Sequence, residues 1–149
     1  MKILFITSLF GLFTLNTILA QTNPISREIA KPGQKVWVIC YHVKSDKRAQ
    51  YERFVHQLFW AGASKLTAEK DKQVFRQTRV LHPTKASPDG SYTYLFIMDP
   101  YIDGADYDIE SLLRKMYGAK QASEYFKQFS TALMPKLGYE EYLVTQSKD

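Results

Sequence analysis

Three histidines, one cysteine, two neighbouring arginines and a run of aspartates are the residues of this chain best suited to chemistry. His42, His56 and His82 offer no i,i+4 pair and no Cys/His cluster, so the spacing carries no metal motif and no metal site is expected. Each imidazole suits a lone general base, and His42 and His56 are the candidate catalytic residues. His56 falls in an expected helix, from which a side chain can reach a pocket between helices and sheet. No cofactor is expected; a single axial bond to haem is the one cofactor role these histidines leave open. The plainer reading is that each is a satisfied polar residue at the edge of an element. Cys40 sits inside Val36-Trp37-Val38-Ile39-Cys40-Tyr41 and reads as a small buried hydrophobe, since a nucleophile needs exposure and a nearby base.

The walls of a pocket are sought among large aromatics. Trp37, Tyr41, Trp60, Tyr92 and Tyr94 suit a flat or polycyclic ligand, and the alternative is ordinary core and dimer packing. Arg76 and Arg79 fall on opposite faces of an expected strand, so one can point inward and anchor a substrate carboxylate or join an ion pair. Residues 99–108 carry four aspartates, but lack the ligand order and distal Glu of a calcium loop; Asp106 or Asp108 capping a helix is the simpler role. Gly-rich phosphate loops, a G-x-S-x-G elbow and H-E-x-x-H are all missing from the sequence.

The elements that must position these residues follow from periodicity. Residues 35–44 are apolar at successive positions and predict a strand covered on both faces. Ser45 is a plausible cap for a helix running to about residue 65, with Tyr51, Phe54, Val55, Leu58 and Phe59 at helical spacing. Residues 67–72 are polar and read as a turn. Residues 73–82 read as a strand ended by Pro83, and Pro88-Asp89-Gly90 turns the chain into a strand over residues 91–98. Ile109, Leu112, Leu113 and Met116 begin a helical part that breaks at Gly118 and resumes from about residue 120 until Pro135; residues 139–145 form a last strand.

The order is β-α-β-β-α-β, an α+β ferredoxin-like pattern: an antiparallel four-stranded sheet with helices on one face. Residues 36–43 and 92–98 are apolar on both faces, and an exposed apolar sheet is rare on monomers. A homodimer through the sheet faces is therefore expected. With the hairpin His82-Pro83 … Pro88-Asp89-Gly90 … Tyr92-Thr93-Tyr94-Leu95-Phe96, these features resemble the dimeric α+β barrel superfamily, nearest to its antibiotic-biosynthesis-monooxygenase-like and NIPSNAP-like members. The resemblance spans residues 36–145 and implies a pocket between sheet and helices. It also implies activities ranging from cofactor-independent oxidation or isomerisation, through haem binding, to non-catalytic interaction; fold alone does not choose among them.

The N-terminus speaks to address. Lys2 precedes an apolar run diluted by Thr7, Ser8, Thr14, Asn16 and Thr17, shorter and more polar than a spanning helix, and Ala20 stands before the polar Gln21-Thr22-Asn23-Pro24. Residues 1–20 thus read as a cleavable secretory signal, residues 21–34 as a flexible leader and residues 35–146 as the barrel domain, exported to a periplasm or beyond. The net charge of +5 is spread through mixed-sign sequence, which predicts neither a nucleic-acid arm nor membrane attachment after cleavage. The partners expected are a second copy and a small molecule.

Overall fold

The computed structural model describes residues 27–136 and 138–148. The signal segment at residues 1–20 lies outside the described residues. Among the described residues, no helix is long and apolar enough to cross a membrane.

Four strands form one antiparallel sheet: β1 (Lys35–Val43), β2 (Thr78–Leu81), β3 (Tyr92–Met98) and β4 (Tyr139–Thr145), in the order β2-β3-β1-β4. The helices are α1 (Arg48–Arg53), α2 (Glu69–Gln77) and α3 (Ile109–Ala132), so the class is α+β. Alternation along the strands explains which face the helices cover. Ile39, Tyr41 and Val43 of β1 and Tyr94, Phe96 and Met98 of β3 are buried against them, while Val36, Val38, Cys40, Leu95 and Ile97 on the other face are half-buried. Pairing sets Val38 beside Ile97 and Cys40 beside Leu95, which makes that outer face an apolar stripe. Leu81, Tyr142 and Val144 extend it onto both edge strands and are exposed.

The helical layer departs from the sequence reading in three places. The expected helix over residues 45–65 forms along its whole length but is not α-helical throughout. A 3₁₀ turn, Ser45–Lys47, precedes α1, a π-helical stretch, Phe54–Trp60, follows it, and a 3₁₀ turn, Ala63–Lys65, comes after Gly62. Ser45 makes no side-chain cap; Lys44 holds the cap position. At the end of the π turn the Leu58 carbonyl accepts from the Ala61 amide, and the Tyr117 hydroxyl of α3 also donates to it at 2.7 Å. Gly62 permits this approach: a Cβ there would lie 2.6 Å from the Tyr117 hydroxyl and 2.7 Å from Met116 Sδ.

The second and third corrections concern α2. Residues 67–72 are not a turn throughout and residues 73–77 are not strand, because Glu69–Gln77 is helical and only Thr78–Leu81 extends the sheet. Asp71, Val74, Phe75 and Thr78 are all buried, an i, i+3, i+4, i+7 stripe. The stripe starts with a carboxylate that Lys115 of α3 holds at 2.9 Å, so a polar residue begins the buried face. Arg76 and Arg79 consequently lie on different elements, α2 and β2, rather than on two faces of one strand.

The remaining boundaries follow local chemistry. Asp108 caps α3, accepting from the Ser111 amide at 2.7 Å. Gly118 interrupts α3 at φ 77°, a conformation that only glycine adopts without strain. Beyond the kink Ala122, Phe129 and Ala132 return to the core, and Gln50 Nε2 of α1 donates to the Gln128 carbonyl at 2.7 Å.

Candidate functional site

The helix-covered side of the sheet holds two unlike regions. The first is an open groove on the β1–β4 side, beneath the second half of α3. Trp37 and Tyr41 of β1 and Tyr139 of β4 form its floor, and Phe126 and Phe129 of α3 its roof. It holds about 420 Å³. The Tyr41 ring is fixed edge-on against Phe96 and Phe129, with centroids 5.3 and 5.2 Å away. Trp37 is held edge-on by Tyr101 and Tyr107 at 5.8 and 5.4 Å.

The groove is mostly apolar, with polar groups from the tyrosines Tyr41, Tyr107 and Tyr139 and from Asp108, Ser130 and Glu141. Burial pushes the Tyr41 hydroxyl well above the ordinary tyrosine range, and Tyr139 and Glu141 push it the same way. It therefore remains a neutral donor. Asp108 Oδ1 is engaged as the cap of α3, and Glu141 supplies a carboxylate acceptor on the β4 wall.

Deeper in, where Trp60, Phe75 and Phe96 meet, the space falls to about 30 Å³. That is room for a water molecule or two and nothing larger. Trp60 is wedged against Phe59, Phe75 and Phe96 at 5.4–5.7 Å, so it packs the interior rather than the groove.

The second region, on the β2–β3 side, is polar and filled. Tyr94 is buried, and its hydroxyl donates to Glu52 Oε1 at 2.6 Å; Arg48 Nε donates to the same oxygen at 3.0 Å. The Tyr94 bond, with Arg48 adding to it, holds the Glu52 carboxyl below its usual range. Burial and Glu52 push Tyr94 up to about 12. The Arg48 guanidinium covers the half-buried Tyr92 ring at 4.5 Å. His82, just past β2, packs edge-on against Tyr94 and meets His56 nitrogen to nitrogen at 3.2 Å. Beneath them the Tyr51 hydroxyl is fully buried with no hydrogen-bond partner among the described residues.

The candidate residues thus separate. Trp37 and Tyr41 share the groove; Tyr92, Tyr94 and His56 share the polar region. His42 belongs to neither: its neighbour in register is Thr93, it lies on the outer face, and its Nδ1 meets the Thr93 hydroxyl at 3.1 Å. Arg76 pairs with Glu69 on the surface at 2.6 Å, and Arg79 pairs with the buried Asp99 at 2.6 Å. Cys40 is on the outer face, its thiol raised by burial and by Glu140. The aspartates of residues 99–108 are dispersed: Asp99 on Arg79, Asp103 on Lys35, Asp106 on Ser111 and Lys115, Asp108 on the helix cap.

Sequence reasoning missed Glu52 and Arg48, whose i,i+4 spacing reads as an ordinary helix-surface pair. It also missed Tyr107, Phe126, Phe129 and Tyr139 as groove walls. For Phe126 and Phe129 the signal was the aromatic spacing of α3, which is the same signal a core gives; Tyr107 lies in the loop before α3 and Tyr139 on β4. No family model, no curated protein and no solved structure matches this chain.

Proposed function

We propose that this chain is an exported domain that binds a small, largely apolar or aromatic molecule in the groove between α3 and the β1–β4 side of the sheet. The observation that carries the reading is the groove's combination of size and lining. About 420 Å³ lies within the roughly 300–1,000 Å³ of small-molecule sites, and aromatic walls with few polar groups are their usual composition. Tyr41 donates one hydrogen bond and Glu141 accepts one. With Asp108 and Glu141 as its only ionisable groups besides tyrosines, the groove favours a neutral or cationic ligand over an acid. Binding is preferred over catalysis because none of the three histidines lines the groove.

The oligomeric part of the proposal is a homodimer paired through the outer sheet faces, in the manner of a dimeric α+β barrel. The strand order β2-β3-β1-β4, with two antiparallel edges and helices on one face, supports a ferredoxin-like reading. The outer stripe of Val36, Val38, Cys40, Leu95 and Ile97, with exposed Leu81, Tyr142 and Val144, is apolar, which supports a second copy matching it by two-fold symmetry.

The test of the ligand is a fluorescence titration with N-phenyl-1-naphthylamine, a neutral aromatic probe. Ser130 is exposed at the groove rim, so Ser130→Trp blocks the entrance without disturbing the core. The expected result is saturable binding weakened by Ser130→Trp about tenfold or more, equivalent to about 1.4 kcal/mol. Equal affinity in both proteins rejects the groove as the site. Sedimentation at micromolar concentration tests the dimer, and Ile97→Lys is expected to convert it to monomer.

A further inference from the structure

We propose that His56 and His82 form an exchangeable two-nitrogen site for a borderline transition-metal dication, with copper(II) and zinc(II) as the metals it suits. The sequence separates these residues by a helix and a strand, and the fold brings them together. Their Nε2 atoms are 3.2 Å apart. Their rings are parallel to within 10°, with centroids 5.0 Å apart, so the nitrogen edges face one another and the rings do not stack face on face. Two imidazole nitrogens at 2.0–2.1 Å from one metal, with an angle between a right angle and a tetrahedral one, are separated by roughly 2.9–3.4 Å. The observed spacing falls in that window without any backbone movement.

The supporting frame is specific. His56 is carried by the π-helical stretch Phe54–Trp60, a kind of turn frequent at functional sites because it redirects a side chain within a helix. His82 is fixed from the other side by its edge contact with the buried Tyr94 and by its place between Leu81 of β2 and Pro83. In the metal-free pair, one Nε2–H donates to the other Nε2. When both rings carry their proton on Nδ1, both Nε2 lone pairs are free for one metal.

Among the described residues no third His, Cys, Asp or Glu completes a cluster with this pair. The remaining coordination positions therefore go to water or to a small anion. A pocket of about 260 Å³ beside His56, lined also by Arg27, Trp60 and Arg79, has room and positive charge for such an anion. Two neutral imidazoles and open positions favour copper(II) over zinc(II) by the usual affinity order, and exclude magnesium and calcium, which prefer oxygen.

The experiment is a calorimetric titration of the full chain with copper(II), zinc(II) and magnesium. His56→Ala, His82→Ala, the double variant and His42→Ala are run in parallel. Both histidines are exposed, so folding of each variant is expected and is checked by circular dichroism. One copper(II) per chain is expected, with weaker zinc(II) and no magnesium. Each single variant should weaken copper(II) by at least about tenfold while His42→Ala binds as the wild type does. Electron paramagnetic resonance of the copper complex should show coupling to two nitrogens that is absent in the double variant. Copper binding unchanged in the double variant, or lost equally in His42→Ala, overturns the proposal.

Discussion

The two regions on the helix side of the sheet use the same kind of residue for opposite ends. Tyr41 and Tyr94 are directly paired neighbours on β1 and β3, both facing the helices. Tyr94 is capped by Glu52 and Arg48, and its surroundings are filled by Tyr51 and His82. Tyr41 packs against the rings of Phe96, Phe129 and Tyr139, and its hydroxyl has no protein hydrogen bond among the described residues. One tyrosine is a structural tie and the other is a donor held in waiting. The difference arises above the sheet: α1 lays Arg48 and Glu52 on the β2–β3 side, whereas α3 lays Phe126 and Phe129 on the β1–β4 side and leaves space below them.

That contrast is broken most severely at the residue both regions share. Phe129 contacts Tyr41, Tyr51 and Phe54 and is buried. Phe129→Ala is expected to cost about 3–5 kcal/mol in denaturant unfolding. A loss under 1 kcal/mol would mean that the groove extends into the core.

Tyr94→Phe separates the regions. It removes a donor from a carboxylate and is expected to cost about 1–2 kcal/mol, while probe binding in the groove stays unchanged. The pH dependence has a definite sign. The Glu52 carboxyl is held below its ordinary value of 4.5, so its contribution is full above that value and is lost as pH falls through the folded pKa. Unfolding of the wild type between pH 5 and 3 should therefore be steeper than that of Tyr94→Phe, and parallel profiles would contradict the tie.

Tyr51→Phe sharpens the comparison further. A buried hydroxyl without a partner is a burden of about 1–3 kcal/mol, so its removal should leave stability unchanged or raise it by about 1 kcal/mol. Destabilisation by more than that would reveal an ordered water or a ligand atom at the junction of the two regions. The smallest effect is expected at Tyr41→Phe. Stability should change by less than about 0.5 kcal/mol, while affinity for a ligand bearing an acceptor drops severalfold.

The same contrast explains what the sequence disclosed. Strands β1, β3 and β4 were legible because β-branched and aromatic residues fill them and turn residues bound them. The cap was legible as Asp106 or Asp108, of which Asp108 holds it, and the break at Gly118 was legible because it rests on one residue's chemistry. Helix α2 was hidden because its buried stripe begins with Asp71, whose burial depends on Lys115, forty-four positions away. It also runs into β2 with no turn residue between Gln77 and Thr78. Of the site, Trp37 and Tyr41 were legible as aromatics on an expected strand. The Glu52–Tyr94 bond and the His56–His82 meeting were not, because they join residues 42 and 26 positions apart and depend on how helices and sheet pack.

The two tryptophans allow the central claim to be tested in one experiment. Trp37 lines the groove and Trp60 packs the interior, so their indole N–H resonances report separately on the two places. Titration of isotope-labelled protein with N-phenyl-1-naphthylamine is predicted to shift the Trp37 indole resonance saturably and leave that of Trp60 in place. Movement of Trp60 alone, or of neither, would contradict a ligand site under α3.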